Sequence, residues 1–459
     1  MADRQEPTIA AIATPPGPGG IGIIRISGPK SLDILRILFR PRTPSAKLTS
    51  HRLYYGWITA PASNQILDEV LAVYMRAPNT YTRDDVVEIH CHSTYVGLKD
   101  ILAHVCQAGA RLADPGEFTK QAFLNGRIDL TRAEAVIDLL NAKTSQGLNL
   151  AMNSLQGQLQ DEIESLRHCL VSIKAVLEVA IDFPDEDVEI LKPLELKSKI
   201  SDQALPILQT LLAASDTGRI LQDGISAVII GRPNVGKSSL LNALLQEERA
   251  IVTAVPGTTR DTIEEHINIK GMPVRIIDTA GIREGADSVE EMGILRSREK
   301  LDKADLALLI LDSSEELTPE DHELHRIVGN RPMIIVANKQ DIKTAKTFNH
   351  NFSQTVVPVS AKKGLGIQDL EETIFQEVTG ASQGWDPGHS CAPNLRQKAS
   401  LERVLASCQR FMDGLDNSLT PDLLAIDLQS GLDDLGDIVG HTTTEDVLDM
   451  IFADFCIGK

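Results

Sequence analysis

Gly231-Arg232-Pro233-Asn234-Val235-Gly236-Lys237-Ser238 has the spacing G-x-x-x-x-G-K-[ST], and its chemistry is phosphate binding. Glycines let backbone N–H groups curl around an anion, the Lys237 ammonium neutralises β and γ oxygens, and the Ser238 hydroxyl supplies a Mg²⁺ ligand. Forty residues on, Asp278-Thr279-Ala280-Gly281 offers a carboxylate that reaches such a metal through water. Alone that tetrapeptide is a weak signal. Asn338-Lys339-Gln340-Asp341 reads the base, because an ionised Asp341 accepts both the N1 and N2 hydrogens of guanine, a pair that adenine lacks. ATP would leave that carboxylate desolvated and unpaired, at a cost of about 1 to 3 kcal/mol. Ser360-Ala361-Lys362 completes the guanine pocket, so GTP is the expected nucleotide.

Hydrolysis needs an oriented water and positive charge on the transition state. Ras-type GTPases place a Gln directly after the Asp-x-x-Gly motif, whereas here Ile282 follows, and its side chain neither donates nor accepts. Glu284, Asp287, Glu290 and Glu291 remain as candidates for positioning water, against the plainer reading of a solvated acidic loop. Upstream, Thr253-Ala254-Val255-Pro256-Gly257-Thr258-Thr259-Arg260-Asp261 reads as a first switch in which Thr259 ligands Mg²⁺. No arginine finger is evident, with Arg260 and Arg283 unassigned, so a monovalent cation can supply the missing charge.

These motifs need strand ends to hold them. From Ile225 onward apolar runs alternate with helix-length segments: Ser226 to Ile230, Val274 to Ile277, Ala307 to Leu311, Met333 to Ala337 and Val356 to Val359. The pattern predicts a doubly wound parallel sheet with each motif at a carboxyl end, where such sheets bind ligands. Residues 8 to 118 read instead as an α+β domain, with strands at Ile21 to Ile26, Leu53 to Thr59 and Val70 to Met75. After Gly126 a capping box, Thr131-Arg132-Ala133-Glu134, opens a helical region, and Leu155, Leu159, Ile163, Leu166, Leu170, Ile173 and Leu177 form the stripe of one long amphipathic helix. Helical periodicity resumes at Leu395 after a Gly- and Pro-rich loop, Ser382 to Pro393. The expected architecture is therefore an α+β domain over 1–123, a discontinuous helical domain over 124–220 and 383–459, and a Ras-like P-loop GTPase domain inserted at 221–382.

At 459 residues the chain suits about three domains. Its 45 Lys and Arg against 64 Asp and Glu give a net charge of −19, so bulk electrostatics will not hold nucleic acid, and any RNA contact must use a local patch. The longest apolar runs fall far short of a membrane span, and the opening residues resemble neither a signal nor a transit peptide, so a cytoplasmic protein is expected. Six scattered cysteines without a C-x-x-C suit reduced thiols. His90-Cys91-His92 with His104 and Cys106 tempts a zinc reading. The segment alternates as a strand, however, sending Val87, Ile89 and Cys91 to one face and Glu88, His90 and His92 to the other.

Several blocks together carry a family resemblance. Gly231 to Ser239, closing on Ser238 and Ser239, with Gly257-Thr258-Thr259-Arg260-Asp261 resembles the translation-factor-related GTPases. Ala13-Thr14-Pro15-Pro16-Gly17, Arg25-Ile26-Ser27-Gly28, Pro115-Gly116-Glu117-Phe118-Thr119, Ala122-Phe123-Leu124-Asn125-Gly126 and the terminal Phe455-Cys456-Ile457-Gly458-Lys459 resemble the MnmE (TrmE) family of tRNA-modification GTPases over essentially the whole chain. The resemblance implies a homodimer that works with the flavoprotein MnmG as a heterotetramer, FAD entering only through that partner. It implies modification of C5 of the wobble uridine, U34, of certain tRNAs with a tetrahydrofolate one-carbon unit. It also implies an N-terminal domain similar to folate-binding aminomethyltransferase domains. Arg25, Glu88 and Lys459 fall where the family contacts 5-formyltetrahydrofolate, and Arg127 where many members have Lys. Asn234 and the backbone of Thr253, Val255 and Thr258 match the family's K⁺ site, and Glu290 its catalytic glutamate. Tyr81-Thr82-Arg83-Asp84-Asp85 and Cys91-His92-Ser93 depart from the usual family segments.

Cys456 can act as a nucleophilic thiolate, or be a thiol packed near Phe452 and Phe455; its last residues fit a prenylation box poorly. A ribosome-assembly or signalling GTPase acting as a binding switch is the rival reading. It calls for a basic RNA-binding domain, and the chain offers the acidic segment Asp422 to Asp437 instead.

Overall fold

The computed structural model describes residues 7–15, 17–43, 47–183, 192–247, 266–277, 301, 304–342, 352–380, 391–453 and 455–459. The chain forms two units, Met1–Ile137 with Asp433–Lys459, and Asp138–Leu432.

The first unit is built on a seven-stranded sheet. Its strands are β1 (Ile9–Ile12), β2 (Gly19–Ser27), β3 (Phe39–Pro41), β4 (Arg52–Thr59), β5 (Ile66–Met75), β6 (Val86–Ser93) and β7 (Arg111–Leu112), ordered β3-β4-β5-β6-β2-β1-β7. Neighbours run antiparallel except β1 and β7. Alternation sends Ile24, Ile26, Val70, Ala72, Val87, Ile89 and Cys91 to one face, where the helices Ser31–Leu38 and Tyr95–Gln107 cover them with Ile34, Leu35, Leu38, Leu98, Ile101 and Val105. The opposite face is covered at its β1 end, where Ile9 and Ala11 pack with Ala113 and Phe118 of the helix Glu117–Leu124. Further along, Ile21, Leu53 and Leu71 are 63%, 52% and 41% exposed.

In the second unit, β8 (Ile225–Ile230), β9 (His266–Ile269), β10 (Met272–Ile276), β11 (Leu306–Asp312), β12 (Met333–Asn338) and β13 (Val356–Pro358) lie in the order β13-β12-β11-β8-β10-β9. All pairs are parallel except β9 with β10. Both faces are buried, as a parallel sheet requires: Ala227 and Ile229 enter one apolar cluster, and Val228 and Ile230 the other. Each expected strand of this sheet is present.

Two helical expectations are corrected. The long stripe is split between Ser145–Gln156 and Gln158–Asp182, with Gly157 capping the first helix in the left-handed conformation. Leu159 to Leu177 do form the buried stripe of the second helix. Thr131 does not cap a helix, because Leu130–Asn141 has already begun. Asp129 caps it instead, Oδ1 accepting from the backbone N–H of Thr131 at 2.9 Å and of Arg132 at 3.2 Å. The helix Pro193–Lys199 runs through a π turn, Ile200–Ala204, into Leu205–Asp223. Pro206 has no N–H to give the carbonyl of Asp202, and the turn widens where that bond is missing.

Candidate GTP and tail-docking sites

In the second unit the phosphate loop leaves β8 and enters the helix Lys237–Glu247. Gly236 has φ 101°, and a Cβ there would sit 2.3 Å from Asn338 Nδ2, so no larger residue lets the loop lie against β12. Lys237 Nζ donates to the carbonyls of Gly231 and Arg232, both at 2.7 Å, and its burial lowers its pKa. The ammonium is thus held inside the loop that would wrap a phosphate. Asn234 has φ 65° and is exposed, as are Ser238 and Ser239, while Val235 is buried.

The base-reading residues are assembled by hydrogen bonds between strand ends. Asn338 Nδ2 donates to Val235 O at 2.8 Å and its Oδ1 accepts from Ala361 N–H at 3.0 Å, so Asn338 ties the phosphate loop to the Ser360-Ala361-Lys362 turn. Asp341 Oδ1 accepts from Ser360 Oγ at 2.7 Å, and this bond holds the carboxyl below the usual carboxylate range. Lys339, at φ 70°, places Nζ 2.5 Å from Asp312 Oδ2. Burial raises the Asp312 pKa, but hydrogen bonds from Lys339 and Ser314 outweigh it and leave the carboxyl below its ordinary value.

Two partners escaped the sequence. Asp312 closes an entirely apolar strand and carries no motif. Asp321, 1% exposed, takes Arg232 of the phosphate loop at 2.8 Å. Thr318-Pro319-Glu320-Asp321 is a capping box whose spacing could have been noticed, but nothing in it names Arg232. Of the sequence-predicted residues, Thr253, Ala254, Val255, Pro256, Gly257, Thr258 and Thr259 lie outside the described residues, as do Asp278, Thr279, Ala280, Gly281 and Glu290.

In the first unit, Arg25 of β2 and Glu88 of β6 are cross-strand neighbours, with Arg25 Nε 2.9 Å from Glu88 Oε1. The Arg25 guanidinium lies 5.9 Å from the Tyr81 ring centroid and 5.7 Å from that of Phe118, within cation–π range. Arg127 stacks on the same Tyr81 at 4.7 Å and donates to Tyr81 O at 3.2 Å. Tyr81, noted in the sequence only within a segment that departs from the family pattern and given no role there, is thus the plate between two cations, fixed by the contact of its hydroxyl with Thr119 Oγ1 at 2.9 Å. His90 Nε2, 3.5 Å from Glu88 Oε2, is buried without a hydrogen bond.

The terminal residues return to this place. Arg25 also donates to Gly458 O at 3.1 Å, Gly116 N–H reaches Cys456 O at 3.4 Å, and Lys459 N–H reaches the same carbonyl at 3.3 Å. Gly458 has φ 97°, and a Cβ would fall 2.5 Å from Ile12 O. Phe452 and Phe455 are buried, their centroids 5.1 Å apart. Cys456 is exposed, so it is Phe455 and not the thiol that packs. Burial pushes the thiols of Cys91 and Cys408 up to about 12 and Cys391 to about 11, which keeps those three protonated. Among the described residues no group of His, Cys, Asp and Glu could hold a metal, and no helix is long and apolar enough to cross a membrane.

Comparison with known proteins gives the family. Residues 130–456 match the MnmE helical domain, and residues 8–127 match the GTP-binding protein TrmE N-terminus. The chain is similar to the tRNA modification GTPase MnmE of Desulfotalea psychrophila, with 52% identity over 98% of this chain and 98% of that one. It is 47% identical to the protein of the same name from Natranaerobius thermophilus, over 99% of this chain and 100% of that one. The Heliobacterium modesticaldum protein of that name is 46% identical over 98% and 99%. With the amino-terminal domain and the helical domain matched in order and relatives of that name similar over nearly the whole chain, the chain belongs to the MnmE family of tRNA modification GTPases.

Proposed function

We propose that this GTPase modifies C5 of the wobble uridine of certain tRNAs to an aminomethyl-type group, drawing a one-carbon unit from a tetrahydrofolate and working with an MnmG-type flavoprotein. The observation that carries the reading is the meeting of Arg25, Glu88, Tyr81 and Arg127 with the Cys456-to-Lys459 tail. Arg25 and Gly458 are 433 positions apart, and their bond makes one mouth of a cation-lined aromatic plate, a carboxylate and an exposed thiol.

The mouth fits a folate by the chemistry of its donors. Glu88 accepts from a pteridine's N–H groups, Tyr81 offers a ring face, and Arg127 and Lys459 offer cations to glutamyl carboxylates. Lys459 makes no side-chain hydrogen bond or ion pair among the described residues. A bound tetrahydrofolate would supply the one-carbon unit, while the exposed Cys456 thiol stands ready to add to the pyrimidine ring. In the nucleotide site the phosphate loop fits Mg²⁺·GTP: Lys237 is already turned into the loop, and Ser238 with Thr259 would hold Mg²⁺. A bound Mg²⁺ would neutralise phosphate charge there. Asn234, with the backbone of Thr253, Val255 and Thr258, would hold K⁺ where an arginine finger otherwise acts, and Glu290 would position water.

The chain would pair with a second copy, a reading supported by the uncovered sheet face beside Arg25 and Glu88, where Ile21, Leu53 and Leu71 are exposed. The folate and K⁺ readings are tested by calorimetry and turnover. 5-Formyltetrahydrofolate should bind, and binding should weaken in Glu88→Ala or Arg25→Ala. GTP hydrolysis should run faster in K⁺ than in Na⁺ and fall in Glu290→Ala with nucleotide affinity kept. No heat at high folate concentration removes the cofactor, and equal rates in the two salts remove the cation.

A further inference from the structure

Cations in the described residues are commonly held by carboxylates: Arg111 by Glu117, Arg232 by Asp321, Arg410 by Asp427, Lys398 by Asp216. One stretch departs from this. Between Lys30 and Thr59 six Lys and Arg accompany a single acid, Asp33, in a chain of net charge −19. Arg36 takes that acid at 3.2 Å, and Lys30 lies apart beside Gly109. The remaining four, Arg40, Arg42, Lys47 and Arg52, are exposed and reach no carboxylate among the described residues. The fold adds a fifth of the same kind, Arg76.

Backbone pairing places these five at the β3-β4-β5 side of the sheet, Arg40 and Arg42 on the face of Tyr55 and Trp57 and Arg52 on the face of Tyr74, so that the rim they form is the sheet's edge rather than one face. Arg40 of the edge strand β3 pairs with Trp57 of β4, and Arg42 N–H donates to Tyr55 O at 3.0 Å. Arg52 pairs with Tyr74 of β5, and His51 N–H donates to Tyr74 O at 2.7 Å. Arg76 N–H donates to Ser50 Oγ at 2.9 Å, and the Tyr54 hydroxyl donates to Lys47 O at 2.8 Å. Aromatic rings are interleaved: the Arg42 guanidinium lies 5.6 Å from the Tyr55 centroid, and Tyr55 lies 5.8 Å from Trp57. Glu69 is the one acid set among them, cross-strand from Trp57 and taking the Tyr55 hydroxyl, and a polyanion laid along the remaining cations releases its own counterions. Guanidinium and aromatic planes at the same rim suit RNA, whose unstacked bases lie on such surfaces.

We propose that the rim formed by Arg40, Arg42, Lys47, Arg52 and Arg76 holds the phosphate backbone of the tRNA. The proposal rests on the reading that tRNA is the substrate, and adds where it docks. An acidic protein surface is the competing occupant, and the interleaved rings favour nucleic acid over it.

Fluorescence anisotropy of a labelled tRNA transcript with the full chain, across a salt series, tests it. Arg42→Glu/Arg52→Glu should weaken tRNA binding by about tenfold or more and flatten the salt dependence by about two phosphate contacts. Arg42→Lys/Arg52→Lys should keep the salt dependence and most of the affinity, because the charge stays, and lose only what the Arg42 plane on Tyr55 adds. Arg219→Glu, an exposed cation of the other unit, should change nothing. GTP hydrolysis without tRNA should be equal in all of them, and Arg42→Gln/Arg52→Gln replaces the Glu variant if that one folds poorly. Unchanged tRNA affinity in the charge-removed chain overturns the rim while leaving the function standing. A wild-type chain with no tRNA affinity overturns the functional reading and the rim together. Lost self-association with tRNA affinity intact makes the rim a protein interface and overturns the proposal.

Discussion

Asp341 shows how one side chain sets base choice. Its carboxylate accepts from Ser360 Oγ and keeps its remaining lone pairs for guanine. Asp341→Asn should weaken GTP binding by about 10- to 150-fold, the worth of hydrogen bonds to a charged acceptor. The same variant should gain xanthosine triphosphate, whose C2 carbonyl takes the amide hydrogen; equal GTP affinity would contradict this. The Ser360 bond also sets a pH window. A carboxyl held below its ordinary value contributes above that value and loses its contribution only as pH falls through the lowered one. In Ser360→Ala the Asp341 pKa should move back toward about 3.9, so that GTP affinity measured on acidification starts to fall at higher pH than in the wild type. Asp341 and Ser360 were legible in the sequence because their spacing from strand ends is their signature. Asp312 and Tyr81 were not, since each acquires its role from a partner far away in the chain, Lys339 in one case and Arg25 with Arg127 in the other.

At the scale of elements, the nucleotide site depends on strands ending beside one another. Asn338 closes β12 and spends both ends of its amide on other segments, Val235 of the phosphate loop and Ala361 of the guanine turn. Asn338→Ala leaves an acceptor and a buried donor unpaired, and should cost about 2 to 4 kcal/mol in denaturant unfolding along with GTP affinity. A loss below about 0.5 kcal/mol would mean that water replaces both bonds. The strands of this sheet were readable because both faces are buried, which writes them as unbroken apolar runs such as Leu306–Asp312. β3 and β7 were not readable, with three and two residues, too short for a period. The helix cap at Asp129 was missed for a different reason: Thr131 and Glu134 have capping-box spacing, and Asp129 begins the helix one residue before Leu130.

The whole molecule joins chain ends that the sequence keeps apart. Helical periodicity from Leu395 onward reports what kind of element follows, and is silent on which neighbour it packs against. Asp433–Lys459 in fact belongs to the unit of Met1–Ile137, where Gly116 admits Phe455 and Arg25 holds Gly458. Specific motifs at both ends of the chain hinted at a common site, and only the fold shows the bond between them. The central claim, that this GTPase acts on the wobble uridine, is tested most directly by mass spectrometry of tRNA nucleosides from a strain lacking the gene. Position 34 of the affected tRNAs should revert to unmodified uridine and be restored by the wild-type chain, and not by Lys237→Ala. Full modification in the strain without the gene would contradict the account.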